Sequence, residues 1–207
     1  LDQGGPQPRL AVVLVGDDEA SAIYVRMKKR NADRAGIASS DHVLPQSATT
    51  EEVLEVVRAL NADPAVSGIL VQMPLPPQCD TAAVIAAVDP LKDVDGLHPL
   101  NAGRLLEGLP GTLPCTPAGI LELLRHDQVP LEGARAVVLG RSNLVGKPAA
   151  LLLLRANATV TVCHSRTRDL HAEVRRADVV VSAIGSPHLI RPEHVKPGAE
   201  LGVAELA

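Results

Sequence analysis

The chain has 207 residues, 46% hydrophobic and 21% charged, so it can bury a sizeable core and is not a disordered chain. It contains no Phe or Trp and a single Tyr, which argues against base-stacking platforms for single-stranded nucleic acid. The net charge of −4 provides no basic field for DNA or for an anionic membrane surface.

Short apolar runs alternate along the chain with segments of helical periodicity. The apolar runs predict buried parallel strands at residues 10–15, 68–71, 136–139, 159–162 and 179–184. The helical segments are residues 20–35, 51–60, 81–88, 116–126, 147–155 and 170–176. This alternation predicts an α/β fold made of βα units with doubly wound parallel sheets.

One irregular stretch, residues 89–114, interrupts the alternation. It contains four prolines and four glycines, and its helical character is weak and confined to residues 102–107. A long irregular segment inside a folded chain is usually functional or a linker. We therefore place a domain boundary at its end and expect two α/β domains, residues 1–114 and 115–207, with a ligand-binding cleft between them.

The first predicted helix carries two candidates for chemistry, Tyr24 and Lys28. They are one turn apart and can share a helix face with Ser21. A lysine that is partly shielded from water releases its proton more readily and can then assist proton transfer. Since Lys28 is followed by Lys29 and Arg30, a solvated basic face is the alternative.

Polar residues follow the strand predicted at residues 68–71. Gln72 comes directly after it, where parallel strands bind ligands, and can orient a substrate carbonyl or a water or else cap the loop. Asp93 and Asp95 lie two residues apart in the irregular stretch. Such a pair can bind a metal, but no further carboxylates accompany it, which favours a turn or a carboxylate that holds a ligand.

A glycine-containing turn lies between the strand at residues 136–139 and the next helix. It only approximates the G-x-G-x-x-G pattern, because Ser142 replaces the second glycine and Gly146 comes one residue late after Gly140. Strand, glycine turn and helix start together predict phosphate binding by backbone N–H groups. An ordinary βα turn with a helix cap is the alternative.

The end of the next predicted strand favours NADP over NAD. NAD-binding folds usually have an acidic residue there to hold the ribose hydroxyls, whereas this sequence reads CHSRT at residues 163–167. A carboxylate would repel a 2′-phosphate, while Ser165, Arg166 and Arg141 can bind one. A solvated basic turn is the alternative.

Several longer motifs occur in a fixed order along the chain. They read LAVVLVG at 10–16, GILVQMPLP at 68–76, KDVDG at 92–96, PCTP at 114–117 and GRSNLVGKP at 140–148. Together with the helix that carries Tyr24 and Lys28, they resemble the bifunctional methylenetetrahydrofolate dehydrogenase/methenyltetrahydrofolate cyclohydrolase family. The resemblance covers about residues 10–199.

This resemblance implies a multifunctional two-domain α/β enzyme of one-carbon metabolism that supplies purine biosynthesis. Its second domain would be a Rossmann-type dinucleotide-binding domain with NADP as cofactor. The enzyme would oxidise 5,10-methylenetetrahydrofolate to 5,10-methenyltetrahydrofolate, pass the hydride to NADP, and hydrolyse the product to 10-formyltetrahydrofolate.

The resemblance also implies roles for single residues. Lys28 matches the catalytic lysine of the cyclohydrolase step, and Gln72 supports it. Tyr24 lines the folate site, and Asp95 holds the pterin ring. No metal is implied. The cofactor-binding positions are Gly140 and Ser142 at the glycine turn, and Arg141 and Ser165 at the 2′-phosphate.

The family resemblance also implies partners, and the cysteine content indicates a cellular location. Family members are commonly homodimers through the nucleotide half, so we expect a homodimer with a small folate substrate and neither nucleic acid nor membrane as partner. Three cysteines without a CxxC motif favour the reducing cytoplasm over a disulfide framework or zinc site. No apolar run reaches the roughly 20 residues of a membrane helix, and no signal peptide is evident.

The chain departs from the family pattern at both ends. The usual helix before Leu10 is missing, and after residue 199 the expected strand, Pro-Gly-Gly-rich loop and last helix give way to a short, different ending. We expect a truncated or altered C-terminus, in which Glu200 would be costly within a buried strand. The alternatives are an inactive folate- or nucleotide-binding remnant or partner protein, and another two-domain NADP dehydrogenase with a different small substrate.

Overall fold

The computed structural model of the protein describes residues 5–16, 19–186 and 189–203, with the side chains of residues 19–24 and 201–203 outside that description. The chain divides into two units, Leu1–Leu100 and Asn101–Ala207, each with its own parallel sheet. The predicted two-domain α/β class is confirmed. The division lies before residue 114, because the irregular stretch contains a helix whose Leu105 is buried in the core of the second unit.

The first unit is a three-stranded parallel sheet with helices between its strands. Its strand order is β2-β1-β3. The strands are β1 (Arg9–Val15), β2 (Ala38–Leu44) and β3 (Gly68–Val71). The helices are α1 (Glu19–Arg34), α2 (Thr50–Ala62) and α3 (Thr81–Ala87).

Strand β2 is absent from the sequence-based predictions. It pairs with β1 from Arg9↔Ala38 to Val15↔Leu44, yet its residues read ASSDHVL and are half-buried or exposed. An edge strand needs few apolar side chains, so no continuous apolar run marks it. Strands β1 and β3 lie deeper: Ala11, Val13 and Ile69 are buried against Val53 and Val57 of α2.

The second unit contains a four-stranded parallel sheet of order β5-β4-β6-β7. Its strands are β4 (Arg135–Leu139), β5 (Thr159–Cys163), β6 (Val179–Ser182) and β7 (Glu200–Val203). Its helices are α4 (Pro99–Glu107), whose first two residues belong to the first unit, α5 (Cys115–His126), α6 (Gly146–Arg155) and α7 (Leu170–Arg175). A short 3₁₀ helix spans Pro192–His194. Among the described residues, no helix is long and apolar enough to cross a membrane.

Strand β7 corrects the expectation for Glu200. The N–H of Glu200 donates to the Asp178 carbonyl at 2.9 Å, and β7 pairs with β6 at the edge of the sheet. Glu200 is the first residue of the strand and is exposed, so its carboxylate stays in water and carries no burial cost. The Asp178 side chain secures this end of the sheet by accepting from the Arg135 N–H at 2.7 Å and from Lys196.

Candidate functional site

The first group of candidate residues lies at the carboxyl-end edge of the sheet in the first unit. The chain passes from β1 to β2 on one side, while β3 pairs with β1 on the other, so the strand order reverses between β1 and β3. Open parallel sheets bind ligands at such a reversal. Gln72 follows β3 there, and its N–H donates to the Val13 carbonyl at 2.9 Å.

The structure brings Lys28 and Gln72 into contact. Nζ of Lys28 donates to Oε1 of Gln72 at 3.2 Å, and Nε2 of Gln72 donates to the Met73 carbonyl at 2.8 Å. The second bond fixes the orientation of the amide, so that its oxygen faces the lysine. Because an amide oxygen accepts from either an ammonium or a neutral amine, Gln72 can hold Lys28 through a proton transfer.

Lys28 differs from the other cations of α1. It is half-buried, whereas Lys29 and Arg30 are exposed and Lys29 pairs with Asp41 at 3.2 Å. Helix α1 also contains Tyr24 one turn before Lys28, but the Tyr24 side chain lies outside the described residues.

Asp95 is electrostatically coupled to the same site. Burial raises the pKa of its carboxyl above the ordinary aspartate value, the positive charge of Lys28 acts in the opposite direction, and the nearby Asp93 raises the pKa further. Burial has the largest effect, so Asp95 holds its proton more strongly than an exposed aspartate. The structure therefore groups Lys28, Gln72 and Asp95.

Asp95 also lines a small open recess of about 10 Å³, which has room for about one water molecule. The walls are mainly apolar and come from β3, α3 and the residues after each, with Asp93 as the second carboxylate. Among the described residues, no three His, Cys, Asp or Glu side chains are grouped so as to hold a metal ion.

His98, which precedes Pro99, has a structural role rather than a catalytic one. Its Nδ1 accepts from the Leu100 N–H at 3.0 Å, which leaves Nε2 to donate to the Ala86 carbonyl at 3.2 Å. Both contacts are with backbone groups.

The second group of candidate residues lies after β4, in the turn that leads to α6. Gly140 has φ +110°, and a Cβ there would lie 2.3 Å from the Ala183 carbonyl oxygen. A Cβ on Gly146 would lie 2.3 Å from the Gly140 carbonyl oxygen. Both positions therefore require glycine, and Gly146 allows the close approach of helix and strand found in dinucleotide-binding turns despite its irregular spacing.

Ser142 organises the start of α6. Its Oγ accepts from the N–H groups of Val145 at 3.1 Å and Gly146 at 3.4 Å. These contacts match the helix-cap alternative, and the hydroxyl proton of Ser142 remains a donor.

Arg141 and Ser165 are exposed at the same edge of this sheet. Their strands are adjacent, Leu139 pairs with Cys163, and the Gly140 N–H donates to the Cys163 carbonyl at 2.8 Å. Each residue lies two positions beyond this pair, so both side chains follow carboxyl ends of neighbouring strands. His164 and Thr167 hold the turn after β5: the His164 N–H donates to Oγ1 of Thr167 at 2.8 Å.

Comparison with known proteins decides the family. The description "Tetrahydrofolate dehydrogenase/cyclohydrolase, catalytic domain" matches residues 1–95, and "Tetrahydrofolate dehydrogenase/cyclohydrolase, NAD(P)-binding domain" matches residues 114–203. The chain belongs to this family. The resemblance found in the sequence is confirmed, and the second unit contains the family's NAD(P)-binding domain.

Individual relatives agree with this assignment. The chain is 55% identical over 197 residues to "Bifunctional protein FolD" of Methanospirillum hungatei, covering 95% of this chain and 71% of the relative. The bifunctional FolD methylenetetrahydrofolate dehydrogenase/cyclohydrolase of Campylobacter jejuni superposes with a TM-score of 0.94 at 43% identity, covering 97% and 71% of the two chains.

A third relative has been solved with ligands. The methylenetetrahydrofolate dehydrogenase-cyclohydrolase of Trypanosoma brucei, complexed with NADP cofactor and an inhibitor, superposes with a TM-score of 0.92 at 40% identity, covering 97% of this chain and 69% of that chain. The chain spans about two thirds of the length of the curated relatives it matches.

Proposed function

We propose that this chain is an NADP-dependent methylenetetrahydrofolate dehydrogenase and methenyltetrahydrofolate cyclohydrolase. It oxidises 5,10-methylenetetrahydrofolate to the methenyl form and hydrolyses that product to 10-formyltetrahydrofolate. The observation that supports this best is the Lys28–Gln72 contact at the strand-order reversal, with Asp95 coupled to Lys28, in a chain of this family.

The dehydrogenase step relies on the second unit for its cofactor. NADP, when bound, accepts the hydride from the folate. The fit of the turn to a dinucleotide is supported by Gly140 and Gly146, where a side chain would collide with backbone. The glycine turn of residues 140–146 would lie against the pyrophosphate, where the Ser142 hydroxyl already engages the N–H groups of Val145 and Gly146. Arg141 and Ser165 would bind the 2′-phosphate.

The cyclohydrolase step relies on proton transfer in the first unit. Water loses a proton as it adds to the amidinium carbon of the methenyl bridge, and a ring nitrogen gains a proton as the C–N bond opens. Lys28, oriented by Gln72, moves this proton at Nζ. Asp95 binds the polar edge of the pterin, and Tyr24 lines the folate site beside Lys28.

The proposal has a direct test. The purified chain is mixed with NADP and methylenetetrahydrofolate, and NADPH and methenyltetrahydrofolate are followed by their absorbance; hydrolysis is measured separately with methenyltetrahydrofolate alone. We expect both reactions above the spontaneous background. A folded chain that binds NADP but catalyses neither reaction would instead be an inactive folate- or nucleotide-binding remnant.

We also propose a homodimer through the second unit, in the cytoplasm. Strand β5 supports the dimer because it lies at the edge of its sheet and Val162 is 39% exposed, so its outer side is available to a second copy. Sedimentation velocity of the purified chain tests this proposal. In the described part of the chain, Cys79, Cys115 and Cys163 form no disulfide bond, which suits a reducing compartment.

A further inference from the structure

Asp93 is a buried carboxylate on the loop that carries Asp95. Only 6% of Asp93 is exposed, and its oxygens accept from the N–H groups of Leu97 at 3.2 Å and His98 at 2.9 Å. The side chain thus closes residues 93–98 into a compact loop. A buried carboxylate is tolerated when it is hydrogen-bonded, and in return it fixes the groups that donate to it.

The same loop is attached to the strand that precedes Gln72. The Ile69 N–H donates to the Lys92 carbonyl at 2.7 Å, and Ile69 of β3 forms a parallel bridge with Asp93. Nζ of Lys92 donates to three carbonyls at the end of α2, those of Leu60, Asn61 and Asp63, at 2.8–3.0 Å. Strand β3 therefore positions both residues: Gln72 follows it directly, and the loop that carries Asp95 is bonded to it through Ile69.

We propose that Asp93 is a positioning residue for Asp95: its carboxylate closes the loop of residues 93–98 and thereby fixes Asp95 in the recess, in range of Lys28. This inference deepens the proposed function and rests on it for the role of Asp95 in binding folate. Asp93 itself is directed to the backbone and is not assigned a contact with substrate.

The electrostatic surroundings of Asp95 give this role a specific signature. The charged groups that act on Asp95 are Lys28 of α1 and Asp93 of its own loop. Strand β3 is followed by the neutral Gln72, and α3 contributes Ile85 to the recess. Since Asp93 raises the pKa of Asp95, removal of its charge lowers that pKa and leaves burial and Lys28 to determine it.

The decisive variant is Asp93→Asn, which keeps the shape of the side chain but removes its charge and places an amide NH₂ against one loop N–H. Three quantities are measured in the full chain: amide hydrogen exchange at Leu97 and His98, the NMR titration of the Asp95 carboxyl assigned with Asp95→Asn, and kinetics with separate KM and kcat values. Asp89→Asn is the matched control, because Asp89 caps the same stretch through the Leu91 N–H at 2.9 Å.

We expect Asp93→Asn to speed exchange at the two amides, to move the Asp95 titration to lower pH, and to lower kcat/KM for the folate about 10–100-fold through KM. NADP affinity stays unchanged, and Asp89→Asn alters none of these values. Should Asp93→Asn not fold, Asp93→Glu keeps the charge and displaces the loop, and the same loss of kcat/KM is expected from it.

Two results overturn the proposal. One is a folded variant with unchanged exchange, Asp95 titration and kcat/KM; the other is a loss of kcat/KM matched by an equal loss of NADP affinity, which indicates general loosening. An inactive wild-type chain would contradict the proposed function instead, and the exchange and titration measurements would still decide whether Asp93 positions Asp95.

Discussion

Lys28 and Lys29 are adjacent on α1 but have different surroundings. Lys28 is half-buried and bonded to Gln72, while Lys29 is exposed and paired with Asp41. A solvent-exposed ion pair contributes at most about 1 kcal/mol to stability, so the Lys29–Asp41 pair contributes little to the free energy of folding. The two lysines therefore form a matched pair for separating a role in proton transfer from the effect of positive charge on this helix.

We expect Lys28→Met to lower cyclohydrolase turnover by about 10²–10⁴-fold, because methionine keeps much of the aliphatic stem and removes the amine. Dehydrogenase activity falls less, since hydride transfer needs positioning but little acid–base help. Both half-reactions are measured on one folded preparation, with Lys29→Met as control. Normal hydrolysis in Lys28→Met, above the spontaneous rate, would remove Lys28 from the mechanism.

Asp95 gives a prediction about stability. Its pKa is raised in the folded state, mainly by burial, so ionisation of Asp95 opposes folding. This cost is absent below the ordinary aspartate value of about 3.9, grows as pH rises towards the folded-state pKa, and is complete above it. Asp95→Asn should therefore unfold at a higher temperature than wild type at neutral pH, while its folate binding is weakened.

Thermal melts at a series of pH values check this sign. The advantage of Asp95→Asn should shrink as pH falls towards 3.9. Asp33→Asn, at an exposed position on α1 and away from the Asp95 loop in sequence, serves as the control and should show no such pH-dependent gain. A variant less stable than wild type at neutral pH would mean that the lost electrostatic attraction to Lys28 outweighs the burial cost.

At the scale of elements, the turn between β4 and α6 explains why a weak motif can still form a dinucleotide-binding turn. The sequence shows only that Gly146 comes one residue late, whereas the structure leaves no room for a Cβ there, since it would lie 2.3 Å from the Gly140 carbonyl oxygen. The extra residue is accommodated by Ser142, whose hydroxyl accepts the first N–H groups of α6. Helix and strand therefore pack closely with a different spacing.

Gly146→Ala should destabilise the second unit by about 1–3 kcal/mol and weaken NADP binding, because its Cβ would collide with backbone rather than with a movable side chain. Denaturant unfolding and NADP titration measure the two effects. Gly119→Ala is the control: Gly119 lies in α5 with open space around its Cβ position, so the change should stabilise by about 0.5–1 kcal/mol. Equal effects of the two changes would contradict the steric argument.

The same scale shows what the sequence can and cannot predict. Strands β1, β3, β4 and β6 are predicted near their observed bounds, because buried parallel strands are continuous apolar runs. Strand β5 is found near its predicted bounds but is not buried as predicted, because it lies at the edge of its sheet and only Cys163 is buried. Strand β2 is missed because it is a polar edge strand, and α4 is indicated only weakly because Gly103 interrupts it.

The candidate site is predictable only where a motif marks it. Helical spacing places Lys28 on a face of α1, but its bond to Gln72, 44 residues away, depends on β3 pairing beside β1. The two residues could be paired from the sequence only through the family resemblance. The role of Asp93 had no such signal, because a carboxylate that folds back onto its own loop leaves only the D-x-D spacing.

At the scale of the whole molecule, each of the two units has buried clusters of its own among the described residues. Leu60, Val53 and Ile69 belong to the first unit, and Leu121 and Leu153 to the second. A ligand that binds only the native state stabilises the unit that it contacts, by about 2.7 kcal/mol at a concentration 100 times its Kd. NADP and a folate analogue should therefore act on different parts of an unfolding curve.

We expect calorimetry to resolve two transitions, of which NADP raises the one for the second unit and a folate analogue the one for the first. Arg141→Ala should reduce the free energy by which NADP stabilises the second unit by about 1.5–3 kcal/mol, the value of a hydrogen bond to a charged group. The smaller stabilisation by NAD should stay nearly unchanged. Equal losses for both cofactors would mean that Arg141 contacts something other than the 2′-phosphate. A single transition that both ligands raise together would show that the two units unfold as one cooperative body, and the effect of Arg141→Ala on NADP against NAD would then be measured on that transition.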